Sequence, residues 1–151
     1  MDPELPISTT LEVRDRCLCL HAQRAARALA RRFDIALKPV GLTNGQFSLL
    51  MSLNRPEAPR IADLAPFLAM DRTTLTAALK VLERRGLVDV LPDENDRRSR
   101  RLSLTDEGRS VMKQAVPIWR AEHEKVDTEL GDIDLDALKS ALNRLGMGQQ
   151  D

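Results

Sequence analysis

The sequence predicts a mainly α fold with a small β-hairpin wing (α+β), a winged helix-turn-helix carried between long N- and C-terminal helices. Three observations carry this. Leu75, Ala78, Leu79 and Leu82 recur at helical spacing in a segment that should stop at Gly86. Leu87, Val88, Val90 and Leu91 then form a short apolar run, Pro92 to Asp96 are turn formers and acids, and Arg100 to Leu104 can pair back antiparallel. On either side lie amphipathic stretches longer than a small winged helix needs for its own core.

From the N-terminus, Leu18, Ala22, Ala25, Leu29 and Ala36 fall on one stripe, which predicts a single long helix from about Leu11 to Leu37, ended by Pro39 and Gly41. Thr43-Asn44-Gly45-Gln46 matches a capping box, with Leu42 and Phe47 placed to staple it, and opens a helix running through Leu50 and Leu53 to Asn54. Pro56 and Pro59 break the chain. Ile61, Leu64, Ala65 and Leu68 mark a short third helix, and Asp71 is positioned to cap the next one. A short helix, a brief turn and a second helix with a polar outer face is the helix-turn-helix pattern.

After the hairpin, Thr105 can cap a helix whose first turn carries Asp106 and Glu107, charges suited to the helix dipole. Val111, Ala115, Ile118, Val126 and Leu130 carry it to about Leu130, with a bend expected at Pro117. At ~1.5 Å per residue such a helix reaches about 37 Å. Leu135, Leu138, Leu142 and Leu145 mark a last helix, stopped by Gly146.

The length fits one domain over residues 1–151, with a winged helix-turn-helix DNA-binding core at 43–105 and dimerisation helices at 11–38 and 106–147. The long helices need cover for their apolar stripes, and a second copy of the chain supplies it. A two-fold dimer would present two reading helices to successive major grooves, about 34–36 Å apart on B-DNA.

The formal net charge is zero, but its distribution is uneven. Residues 12–38 hold seven basic and three acidic side chains, 72–101 hold eight basic and five acidic, and 106–151 hold six basic and ten acidic. The basic character therefore sits in the first helix and in the helix-hairpin unit. No apolar run approaches the length of a membrane span, and the opening MDPELPISTT is acidic rather than basic then apolar, so a cytoplasmic protein with no membrane partner is expected. Cys17 and Cys19, two apart on one helix, would point to opposite sides and remain thiols. Cys17, His21 and His123 are too few for a metal centre, and no cofactor is expected. No nucleophile-base arrangement, glycine-rich phosphate loop or carboxylate pair stands out, so the chain is not expected to be an enzyme.

Thr73, Ala77, Lys80 and Arg84 fall at i, i+4, i+7 and i+11, opposite the leucines, with Thr74 and Thr76 flanking them. Threonine hydroxyls near a helix N-terminus can bond base edges or phosphates, an alanine methyl can meet a thymine methyl, and the two cations can neutralise phosphates. A polar helix face is ordinarily just solvated. Beside a wing with Arg97, Arg98, Arg100 and Arg101 within five residues, it reads as a DNA surface. Strand alternation puts Leu102 and Leu104 inward, so Arg101 and Ser103 are expected outward. A winged helix used only for protein interaction is the alternative.

MDRTTLTAALKVLERRGLV (Met70 to Val88) and DRRSRRLSLTDEG (Asp96 to Gly108), supported by GLTNGQFSLL and IADLAPFLAM, resemble the MarR family of bacterial transcriptional regulators. Pro66 departs from the family pattern, inside the first helix of the helix-turn-helix. The resemblance implies a homodimer on a pseudo-palindromic DNA operator, usually a repressor released by a small phenolic or lipophilic effector or by an oxidant. It matches Asp96 and Arg98 to the wing-tip aspartate and arginine, with the arginine entering the minor groove, whose negative potential attracts it. Cys19 lands where the hydroperoxide-sensing OhrR subgroup carries its reactive cysteine, which makes thiol-based sensing an alternative mode of control. That subgroup surrounds its thiol with tyrosines, and this chain has none. The other reading of Cys19 is a small buried hydrophobe at a helix interface. Trp119 and Phe33 are candidates to line an effector cleft or to fill the core.

Overall fold

The long N-terminal helix is two helices. In the computed structural model, which describes residues 4–96 and 98–146, α1 (Ile7–Arg16) ends at Cys17 and α2 (Leu18–Leu37) starts on the next residue. Cys17 has an extended backbone (φ −73°, ψ 100°) and caps α2, its Sγ accepting from the Leu20 N–H at 3.4 Å. This corrects the expectation of one helix from Leu11 to Leu37. Cys17 and Cys19 therefore do not sit two apart within one helix, although both are free thiols.

A 3-10 turn (Lys38–Val40) ends at Gly41, whose left-handed backbone (φ 69°) lets the chain reverse. Then α3 (Asn44–Ser52) opens on the predicted capping box. Thr43 Oγ1 accepts from the Gln46 N–H at 3.2 Å, Gln46 Oε1 accepts from the Thr43 N–H at 3.1 Å, and Leu42 and Phe47 are both buried. The helix stops two residues before Asn54, whose N–H turns back to the Met51 carbonyl. Next, α4 (Ile61–Phe67) contains Pro66 yet remains helical to Phe67; it then closes on Leu68 and on Ala69, which takes a positive φ of 50°. Asp71 caps α5 (Arg72–Arg84), which buries Leu75, Leu79 and Leu82. Gly86 reverses the chain at φ 70°.

The strands β1 (Val88–Pro92) and β2 (Arg100–Leu104) pair antiparallel with Val88 opposite Leu104, Val90 opposite Leu102 and Pro92 opposite Arg100. Pro92, expected in the turn, is the last residue of β1. Thr105 then caps α6 (Asp106–Leu130), which continues through Pro117, and α7 (Leu135–Gly146) follows a short turn. Leu37, Leu50, Leu64, Leu75, Leu82 and Leu102 are fully buried together, so one core joins the end of α2 to the helix-turn-helix and the wing.

Neither α1 nor α7 buries a residue, and Leu18 on α2 is 69% exposed. The helices α2 and α6 are held side by side by Arg32, which ion-pairs with Glu122 and, at 2.7 Å, with Glu129. Phe33 is buried, Trp119 stacks on Phe47 with centroids 6.0 Å apart, and His123 lies 4.9 Å from Trp119. Phe33 and the partly buried Trp119 thus both lie in the α2–α3–α6 seam.

The Arg32 guanidinium holds the Glu122 and Glu129 carboxyls below the ordinary glutamate value of 4.5, and Lys125 adds to the effect on Glu122. Groups whose folded-state pKa is depressed contribute stability that is present above the unfolded value and lost as pH falls through the folded one. Denaturant midpoints should therefore fall as pH drops below about 4.5, and Arg32→Met should shrink that acid slope. An acid slope identical in the variant would show that other carboxylates carry it.

Candidate nucleic-acid interface

The helix α5 presents its predicted polar stripe to solvent: Thr73, Ala77, Lys80 and Arg84 are all exposed. Its N-terminus is tightly capped, and that cap changes the standing of the flanking threonines. Asp71 accepts from the Thr74 N–H at 2.8 Å and from its hydroxyl at 2.6 Å, and these bonds hold the Asp71 carboxyl below the usual aspartate range. Thr76 donates its hydroxyl to the Arg72 carbonyl at 2.7 Å. Among the described residues, Thr73 is left as the threonine of the three whose hydroxyl has no partner. Lys80 and Arg84 form no ion pair among the described residues, although Arg84 Nε donates to the Lys80 carbonyl at 3.3 Å.

In the wing, Asp96 and Arg98 are exposed and the aspartate orders the tip. Asp96 Oδ1 accepts from the Arg98 N–H at 3.0 Å, and the Asp96 carbonyl accepts from the Ser99 N–H at 2.9 Å. This Asx-type turn throws the Arg98 side chain outward from a fixed backbone. Arg100 is exposed and donates to the Ser99 carbonyl at 3.3 Å. Arg97 lies outside the described residues.

Alternation holds in β2: Leu102 and Leu104 are buried, Arg101 and Ser103 part-exposed. Arg101 is nevertheless tied down, its Nε donating to Asp93 at 2.9 Å and its Nη1 to the Ala58 carbonyl at 2.8 Å. The loop before α4 runs along the edge of β2 at this point, with Arg60 and Arg101 forming an antiparallel bridge. Asp93 and Arg60 were not visible from the sequence. The aspartate reads there as an ordinary turn former, and its partner lies 33 residues away.

Cys19 is exposed on this chain, and its Sγ accepts from Gln23 Nε2 at 3.0 Å. Among the described residues no group of three or more potential metal ligands comes together, and no helix is long and apolar enough to cross a membrane.

A groove of about 510 Å³ lies between α3, the end of β2 and α6, lined by Met51, Leu104, Met112 and Val116 and rimmed by Arg109, Lys113 and Arg120. Its floor is apolar and its rim cationic.

Two sequence comparisons bear on what carries this interface. The sequence profile of the MarR family matches residues 42–99, the whole helix-turn-helix and most of the wing. Over 126 residues the chain is 36% identical to the transcriptional activatory protein BadR of Rhodopseudomonas palustris, covering 81% of this chain and 70% of BadR. The chain belongs to the MarR family.

Solved structures agree in fold and in length. The Mycobacterium tuberculosis transcriptional regulator MosR, solved in complex with DNA, superposes with a TM-score of 0.79 at 38% identity over 87% of this chain and 94% of MosR. The transcriptional repressor CouR, solved on a 23-mer DNA duplex, gives 0.77 at 34% identity over 88% and 94%. The predicted winged helix-turn-helix is thus the observed architecture, in a transcriptional regulator whose relatives are regulators and not enzymes.

Proposed function

We propose that this MarR-family chain is a dimeric, DNA-binding transcriptional regulator of the cytoplasm that occupies a pseudo-palindromic operator. The observation that supports it best is the pairing of two cationic elements without ion-pair partners among the described residues, Lys80 with Arg84 on α5 and Arg98 on the wing, on one scaffold. Thr73 and Ala77 at the start of α5 face the major-groove base edges, Thr74 and Thr76 flank them with their hydroxyls held in the cap and the helix, and Lys80 and Arg84 take phosphates. Arg98, set by Asp96 and flanked by Arg97 and Arg100, enters the adjoining minor groove. Residues 43–105 form the reading core, and residues 11–38 with 106–147 form the dimer.

The regulation is repression by occlusion, relieved by a small amphipathic effector. The apolar floor and cationic rim of the α3–α6 groove suit an aromatic or lipophilic acid. CouR is a repressor and BadR an activator, so a reporter carrying the operator at its native distance from the promoter decides the direction.

The test is selection on genomic fragments followed by titration across salt. One fragment should bind preferentially, with log K falling against log salt by about 0.9 per phosphate neutralised. No preference over random DNA would leave the α5 face as ordinary solvated surface. Arg98→Ala should weaken operator binding by about 1–3 kcal/mol without lowering the melting temperature. Undiminished binding in that variant would remove Arg98 from the interface.

A further inference from the structure

The Asp93 carboxylate is the most deeply buried charge in the described chain. The residue is 2% exposed, and its side chain is completely shielded. Oδ2 accepts from Arg60 Nε at 2.8 Å and from Arg101 Nε at 2.9 Å, while Oδ1 accepts from the Asn95 N–H at 2.8 Å. Asp93 also donates its own N–H to the Ser99 carbonyl at 3.1 Å, across the base of the hairpin loop. Both carboxylate oxygens and the N–H of this residue are therefore spent on fixing its neighbours.

Those neighbours belong to different parts of the fold. Arg60 is the residue just before α4, where its own N–H is held by Asp63 at 3.1 Å, and α4 packs on α5. Arg101, the second residue of β2, reaches the Ala58 carbonyl, while the Leu102 N–H donates to the Pro59 carbonyl at 3.0 Å. An isolated two-stranded hairpin is marginal in water and has no fixed orientation of its own. Here the 58–60 loop lies along the edge of β2, bridged to it at Arg60 and Arg101, and Asp93 locks the two together.

We infer that Asp93 is a positioning residue for DNA recognition, docking the base of the wing onto the loop before α4 so that the wing tip keeps a set angle to α5. A second consequence follows for charge. By drawing Arg101 and Arg60 inward, to 34% and 38% side-chain exposure, Asp93 withdraws two cations from the pool that would grip any phosphate. What remains outward is the tip. Asp93 thereby favours a specific fit over general attraction. The inference rests on the DNA-binding reading above.

The decisive experiment uses full-length protein and the variants Asp93→Asn, Arg101→Gln and the double mutant, titrated against the selected operator and a scrambled duplex at several salt concentrations. Asn keeps the size and the acceptor for the Asn95 N–H but loses the charge. The operator-to-scrambled ratio should fall about ten-fold or more in Asp93→Asn, while affinity for scrambled DNA is unchanged or rises. Arg101→Gln should lose the same ratio at an unaltered salt slope, and the double mutant should be no worse than either single one. A salt slope reduced by about one phosphate contact in Arg101→Gln would make Arg101 a DNA ligand and overturn the inference.

Amide exchange on DNA-free protein separates positioning from unfolding. The Leu102 N–H should exchange faster in Asp93→Asn, with the α5 amides unchanged. Faster exchange with a full specificity ratio overturns the positioning role alone, whereas a wild-type protein without operator preference overturns it together with the DNA-binding reading.

Discussion

Replacing Gly108 by alanine should lower stability by about 3–5 kcal/mol, a fall of roughly 10–15 °C in melting temperature for a chain of this size. A Cβ built there would lie 2.2 Å from the Leu87 carbonyl oxygen and 3.1 Å from its carbon, inside any real contact distance. Nothing nearby can yield by changing rotamer, because the opposing atoms are backbone. That carbonyl also accepts from the Thr105 N–H at 3.2 Å, and Thr105 Oγ1 both accepts from the Gly108 N–H at 2.9 Å and donates to the Gly86 carbonyl at 2.7 Å. The first turn of α6 is thereby clamped to the start of β1, and a methyl group would force the two apart. Gly86→Ala is the control. Gly86 also departs from ordinary geometry, with φ 70°, but its Cβ would meet nothing within 4 Å, so the loss should be only about 1–2 kcal/mol. Equal losses in the two variants would show that backbone conformation, and not the close approach, sets the requirement at Gly108.

What the sequence made legible was local. The Thr43–Gln46 box, the Asp71 and Thr105 caps and the leucine stripe of α5 are each written within a few consecutive residues, and each stands where it was expected. The polar face of α5 was equally readable, but not which of its hydroxyls were free: Thr74 and Thr76 spend theirs within the helix and its cap. The misreadings have non-local or unmarked causes. Cys17 breaks the N-terminal helix with a thiol cap, and the apolar periodicity runs across the break without registering it. The partners of Arg101 were hidden because β2 has a second neighbour, the 58–60 loop, that nothing within the hairpin announces. The same juxtaposition hid Asp93 among turn-forming acids. The motif ending in Gly108 carries the family resemblance, but the physical reason for its glycine is a contact with a residue 21 positions earlier.

A single glutamate on the C-terminal helix should weaken operator binding more than any one substitution in the reading surface. Although α7 has only 12 residues and buries none of them, Leu138, Leu142 and Leu145 recur along one face at 38%, 49% and 65% exposure. A helix of that length is marginal in water unless its apolar face is covered. In the proposed dimer the cover is the partner's own terminal helices, whose Ile7, Leu11 and Leu18 are likewise exposed on this chain. Leu142→Glu places a carboxylate in that contact, where burial without a partner is heavily penalised. The core that reads DNA lies elsewhere and should remain folded. The variant should therefore sediment as a monomer, keep the thermal transition of the winged helix, and lose on the order of 10²–10⁴-fold in operator affinity, since two half-sites no longer bind as one event. Binding to a single half-site should be spared. A monomer that retained full operator affinity would break the link between the long helices and the spacing of the two wings. A variant that stayed dimeric would assign the α7 face to another contact.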